Sequence, residues 1–77
     1  MATETLRALL ERAFPDALEI GVEDRTGGGD HFQVSVTSPS FNDLPLLEQH
    51  QQVNAALADR LADGTIHELR IRTRGTQ

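Results

Sequence analysis

Gly64 stands between two incompatible periodicities, and that junction does most to limit what this chain can fold into. Before it, Leu46, Leu47, Val53, Leu57 and Leu61 recur at helical spacing. After it, Leu69 and Ile71 alternate with Arg70 and Arg72 at the period of a strand. A second alternating stretch, Phe32, Val34 and Val36 within His31 to Thr37, precedes the helix. Strand, helix and strand in that order form a crossover unit, which joins parallel strands with a right-handed turn. Parallel strands start at the same end of a sheet. His31 and His67 open the two strands, so both belong at one edge, beside Gly27-Gly28-Gly29 and the helix end at Gly64.

The rest of the chain adds a helix and a strand in front of that unit. Thr3-Glu4-Thr5 supplies a cap with a carboxylate in the first turn, where the helix dipole favours it. Leu6, Leu9, Leu10, Ala13 and Phe14 make one apolar stripe, and Pro15 ends it. From Ala17 to Asp24, Leu18, Ile20 and Val22 point one way and Glu19, Gly21 and Glu23 the other, as in a half-buried strand. Arg25 to Asp30 is then a flexible hairpin tip rather than a phosphate loop, because no helix follows and the Lys-Ser/Thr pair is missing. Ser38 to Asp43 leads into the long helix, with Asp43 or Leu44 as cap and Pro45 in its first turn. A break is expected within Leu44 to Gln49, and Arg74 to Gln77 is expected to fray. The element order α-β-β-α-β predicts a single α/β domain over residues 1–77, structured roughly from Glu4 to Thr73, with a three-stranded mixed sheet and helices on one face.

Composition narrows the function classes. At 77 residues one small core is the limit. The basic residues are all arginine, 7 against 12 carboxylates, and the net charge of −5 disfavours a phosphate backbone as partner. Arg70, Arg72 and Arg74 form a local exception on one face of the last strand, ordinarily a solvated one. Without cysteine the chain has no disulfide, thiolate zinc site or nucleophilic thiol, so any sulfur ligand comes from a partner. No apolar run of spanning length and no basic leader is present, which gives a cytoplasmic location without a membrane anchor as the expectation. Asp30-His31 with a nearby serine has the residue types of a catalytic relay, but so short a chain offers little room for a cleft, and an enzyme is not expected. An edge strand and the open face around His31 leave a homodimer open.

Two histidines are candidate ligands. His67 shares the parity of Leu69 and Ile71, where the buried face meets the end of the sheet, whereas His31 opposes Phe32. On parity they do not chelate one ion together without help from the loop. From the residues alone, the favoured reading of His67 is a histidine that caps the strand and bonds a backbone carbonyl. His50, on the helix stripe between Leu47 and Val53, reads as a structural histidine hydrogen-bonded at the core edge, fixing a loop.

Four fragments in order, Gly29-Asp30-His31-Phe32-Gln33-Val34, Ser38 through Phe41, the helix centre around His50 and Val53, and Ile66-His67-Glu68-Leu69, resemble the BolA-like proteins. The resemblance runs from about Leu6 to Thr73 and implies an α/β fold similar to the class II KH domain. It also implies a non-enzymatic adaptor for monothiol glutaredoxins in iron–sulfur trafficking or iron regulation. In that family the histidine matching His67 is the recurrent candidate ligand of a bridging [2Fe–2S] cluster, with glutaredoxin cysteine and glutathione sulfur on the other side; this reverses the reading of His67. Histidine can replace thiolate on one iron of such a cluster. No cofactor is expected on the chain alone. The hairpin loop carries neither the cysteine nor the histidine that cluster-binding members often place there, so the resemblance leaves open a cluster held by His67 alone on this side, a labile one, or a complex without it. His31, which matches the HF position of the family rather than that loop ligand, is the second ligand candidate, and Gly28, Gly29, Asp30, His67 and Arg70 are the partner-facing set the resemblance implies. The alternative is a nucleic-acid-binding transcriptional regulator using His50, Arg70 and Arg72. Gln49 and Gln51, where the family usually has arginines, and the lack of a GxxG loop between helices weigh against it.

Overall fold

The computed structural model describes residues 2–77. In chain order its elements are α1 (Ala2–Ala13), β1 (Glu19–Asp24), β2 (His31–Thr37), a 3₁₀ turn (Pro39–Phe41), α2 (Leu46–Ala56), α3 (Ala58–Ala62) and β3 (Glu68–Arg74). The sheet order is β1-β2-β3. The first pair is antiparallel, with Glu19 opposite Thr37 and Asp24 opposite Phe32; the second is parallel, with His31 opposite Glu68 and Thr37 opposite Arg74. This is the mixed three-stranded sheet that the crossover order predicts.

Paired residues share a face, so the register sorts the side chains. Phe32, Val34 and Val36 lie at 1% exposure or less, and Ile20, Val22, Leu69 and Ile71 join them toward the helices. Leu6, Leu10 and Phe14 of the α1 side and Val53 and Leu57 of the α2 side close the core. Each such buried side chain contributes about 1.5–3 kcal/mol. The opposite face carries Glu19, Gly21, Glu23, His31, Gln33, Ser35, Thr37, Glu68, Arg70, Arg72 and Arg74.

Several local expectations are corrected. The helix break falls at Leu57 (φ −107°, ψ 12°), not within Leu44 to Gln49. Val53, Leu57 and Leu61 are spaced by four, and each such step overruns the turn by about 40°; the break keeps Leu57 fully buried and Leu61 against the core. Pro45 is itself the residue flanking α2, in extended conformation with no side-chain cap, and Asp43 takes a positive φ of 68°. A proline pushes its predecessor, Leu44, out of the helical region, so neither Asp43 nor Leu44 caps the helix. Leu46 and Leu47, in the overhanging first turn, are 61% and 69% exposed, and Leu18, which precedes the first ladder pair, is 73% exposed.

Further ties hold segments expected to be loose. Ser38, fully buried, accepts the Ser40 amide on its Oγ and starts the unpredicted 3₁₀ turn, which seats Phe41 edge-on against Phe14 with ring centroids 5.3 Å apart. Rather than fraying, the C-terminal segment continues as strand through Arg74, and Asn42 then exchanges two hydrogen bonds with Thr76. A Cβ on Gly75 would strike Asn42 Oδ1, so a larger residue there would have to push the Asn42 side chain away from Thr76. Among the described residues no helix is long and apolar enough to cross a membrane.

Candidate functional site

The parallel ladder sets where the two histidines meet. Asp30 O accepts both the His67 amide (2.8 Å) and the Glu68 amide (3.2 Å), pinning the chain one residue before β3 begins. Ile66 is 4% exposed and Leu69 also packs on the core. Residues three apart cannot both face inward on a continuous strand. The chain therefore turns at His67, and the parity argument fails there: its side chain is 63% exposed and stands outside the strand.

That turn brings together what parity kept apart. The His31 and His67 ring centroids are 6.5 Å apart, inclined by 61°. The Asp30 carboxylate lies between them, Oδ2 at 3.4 Å from His67 Nδ1 and Oδ1 at 4.0 Å from His31 Nδ1. Among the described residues no group of three or more His, Cys, Asp or Glu is arranged to hold a metal ion.

The approach to this edge is built on both sides. Behind His67, Gly64 takes φ 82° to end α3, and the Asp63 carboxylate accepts the Thr65 amide at 2.8 Å. That contact, with the Thr65 side chain, lowers the Asp63 pKa; the neighbouring Arg60 guanidinium, 3.2 Å away, adds to the effect. Before His31, the hairpin tip is organised rather than loose. Asp24 Oδ1 accepts the Thr26 and Gly27 amides at 3.2 and 2.9 Å, and Asp24 Oδ2 accepts the Gly29 amide at 2.9 Å. Gly27 and Gly29 adopt φ of 76° and 78°, which non-glycine residues rarely tolerate. The signal in the sequence was an aspartate three residues before the first glycine of the turn, placed to accept the amides two and three residues on as in an Asx turn.

The remaining predicted residues divide between two ends of the sheet. Gly28, Gly29, Asp30, His31 and His67 cluster at the start of the parallel strands; Arg70 stands one row further along the open face, opposite Gln33. His50 and Arg72 do not join them. With Leu46, Ile71, Thr73 and Arg74 they line a separate open groove of about 570 Å³ at the far ends of β2 and β3. His50 is half-buried, and its ring makes no hydrogen bond among the described residues, so it fixes no loop. Its neighbour does. Gln49 Nε2 donates to Leu44 O (2.8 Å) and Phe41 O (3.3 Å), and Gln49 Oε1 accepts the Thr73 hydroxyl at 2.5 Å. Sequence reasoning met Gln49 only as a departure from a family pattern.

Fold and site together define a small α/β domain that presents paired histidines, without any cysteine, at the parallel edge of a mixed sheet. The BolA family model, BolA-like protein, matches residues 11–77, and the chain belongs to this family. It is 32% identical over 73 residues to RP812 of Rickettsia prowazekii, covering 95% of this chain and 92% of that protein. Among solved structures, BolA1 from Arabidopsis thaliana superposes with a TM-score of 0.89 at 24% identity, covering 99% of this chain and 93% of that one. The BolA domain of SufE1 from the same plant gives a TM-score of 0.86 at 28% identity, over 96% and 91% of the two chains. Against BolA-like protein 1 of Homo sapiens the identity is 39% over 90% of this chain, which spans 54% of that longer protein.

Proposed function

We propose that this domain is a cytoplasmic, non-enzymatic adaptor that binds a monothiol glutaredoxin with its glutathione and shares a bridging [2Fe–2S] cluster through His67. The observation that carries the reading is the exposed His67 ring, with His31 6.5 Å away at the same sheet edge, in a chain that has no thiol of its own. The donor set fits a shared group better than a resident one: neutral imidazole is a good nitrogen ligand, and the described residues offer too few further ligands to close a site alone. When bound, the cluster would supply electron-transfer or transfer chemistry; the chain's own part is to present His67, with His31 as an auxiliary ligand and Gly28, Gly29, Asp30 and Arg70 as the partner-facing surface.

The test is an anaerobic titration of the protein into a cluster-loaded monothiol glutaredoxin, followed by visible circular dichroism, with His67→Ala and His31→Ala in parallel. A new heterodimer spectrum that His67→Ala abolishes and His31→Ala only weakens is the expected result. An unchanged spectrum with wild-type protein, and no complex on gel filtration, sinks the adaptor reading. A second reading, a nucleic-acid-binding regulator, draws on Arg70, Arg72 and Arg74, which line the open face and whose guanidinium groups make no ion pair or hydrogen bond among the described residues. The net charge of −5 opposes it, and salt-dependent binding of DNA or RNA is its signature.

A further inference from the structure

Asp30 touches His67 twice, by different atoms. Its carbonyl accepts the His67 amide, which fixes where the residue sits. Its carboxylate faces the Nδ1 side of the His67 ring at 3.4 Å, which bears on how the ring is turned and which nitrogen carries the proton. The distance is longer than a formed N–H···O bond, and the broad second torsion of histidine lets a small rotation close it. The same carboxylate reaches toward His31 Nδ1 only at 4.0 Å, so His67 is its nearer partner.

We propose that Asp30 is the positioning residue of His67: Nδ1–H donates to the carboxylate, the neutral ring is held as that tautomer, and Nε2 is left as the ligating atom. This rests on reading His67 as a ligand, and it names the nitrogen. Ligating histidines characteristically donate their other ring N–H to a carboxylate or carbonyl, which fixes tautomer and orientation and raises the basicity of the ligating nitrogen. A histidine without such a partner favours the opposite tautomer, with the proton on Nε2, where it blocks that atom as a ligand. The Asp30 carboxylate is supplied to the site by the glycine loop, since Asp24 holds the Gly29 amide next to it in sequence.

Long-range proton–nitrogen NMR of the imidazoles in the cluster-free protein, at a pH where all three are neutral, tests the inference in wild type and Asp30→Ala. The backbone bonds to the Asp30 carbonyl do not need the side chain, so the fold is expected to persist, checked by the amide spectrum. His50, which among the described residues faces no carboxylate at such a distance, is the internal reference. His67 is expected as the Nδ1–H tautomer in wild type and to revert to the pattern of His50 in Asp30→Ala, while Asp30→Asn, which keeps an acceptor oxygen, retains part of the wild-type pattern. Affinity for cluster-loaded glutaredoxin is expected to fall about tenfold in Asp30→Ala. A His67 tautomer that is the same in wild type and Asp30→Ala overturns the proposal, whatever the glutaredoxin titration gives. Conversely, wild-type protein that never engages the glutaredoxin while Asp30 still sets the tautomer overturns the ligand role and leaves the Asp30–His67 coupling standing.

Discussion

Asp24→Asn separates a loop that is organised from one that is only permitted. The wild-type carboxylate accepts three amides: Thr26 and Gly27 on Oδ1, both exposed, and Gly29 on Oδ2, half-buried. Asparagine keeps one acceptor oxygen and puts an NH2 donor where the second was. Holding the Thr26 and Gly27 amides therefore sets donor against donor at Gly29. A hydrogen bond to a charged acceptor is ordinarily worth about 1.5–3 kcal/mol, and partial exposure brings the expected loss to about 1 kcal/mol. For a domain of this size that corresponds to a fall in Tm of about 4–8 °C. The assay pairs thermal melting by circular dichroism with amide hydrogen exchange. Gly29 should lose protection in Asp24→Asn while Thr26 and Gly27 change little, and the His67 amide, held 2.8 Å from the adjoining Asp30 carbonyl, should exchange faster too. An unchanged Tm with unchanged exchange at Gly29 refutes the reasoning, because the carboxylate would then organise nothing.

Gln49→Ala removes two donations to the loop carbonyls of Phe41 and Leu44 and the acceptor of the Thr73 hydroxyl. A loss of about 2 kcal/mol in urea unfolding is expected, and a loss equal to that of an ordinary surface glutamine would contradict the structural role given to it. Asp63 supplies a pH dependence. Its pKa is lowered chiefly by the Thr65 side chain and amide, so the folded state binds its proton less readily than the unfolded state. The contribution is fully present above the ordinary Asp range of about 4 and is lost as pH falls through the lower folded value. Unfolding curves taken across that range should show wild type losing stability relative to Asp63→Asn, and parallel curves for the two proteins would exclude the effect.

Wherever side chains alternate over several residues, the sequence was legible: β2 and the inner face of β1 and β3 follow from period two, and the parallel order follows from the helix between them. What escaped depends on partners far away in the chain. Leucines and valines at steps of four look the same in a straight helix and in one that breaks at Leu57; only the position of the sheet decides between them. His67 reads as the first residue of a strand because Leu69 and Ile71 continue its parity, yet the carbonyl that stops the ladder at Glu68 belongs to Asp30. Gln49 carries no local mark at all, since two of its partners, Phe41 and Leu44, lie before the helix and the third, Thr73, lies 24 residues on.

The His31–His67 edge follows from topology before it follows from any pair of side chains. A crossover between parallel strands puts both strand starts at one end, so two residues 36 apart in sequence arrive at the same place with the hairpin tip beside them. Topology fixes location only to within a residue or so of the ladder. Asp30 supplies the remainder: its carbonyl sets the backbone of His67, and its carboxylate faces the ring. Asp24 acts on the first of these through Gly29, whereas the Asp30 side chain acts on the second. The chemistry of the ring and the placement of its backbone thus have separate handles at the two ends of one hairpin tip, Asp24 where β1 ends and Asp30 just before β2. The orientation of His67 is accordingly a property of the hairpin more than of β3, the strand it precedes.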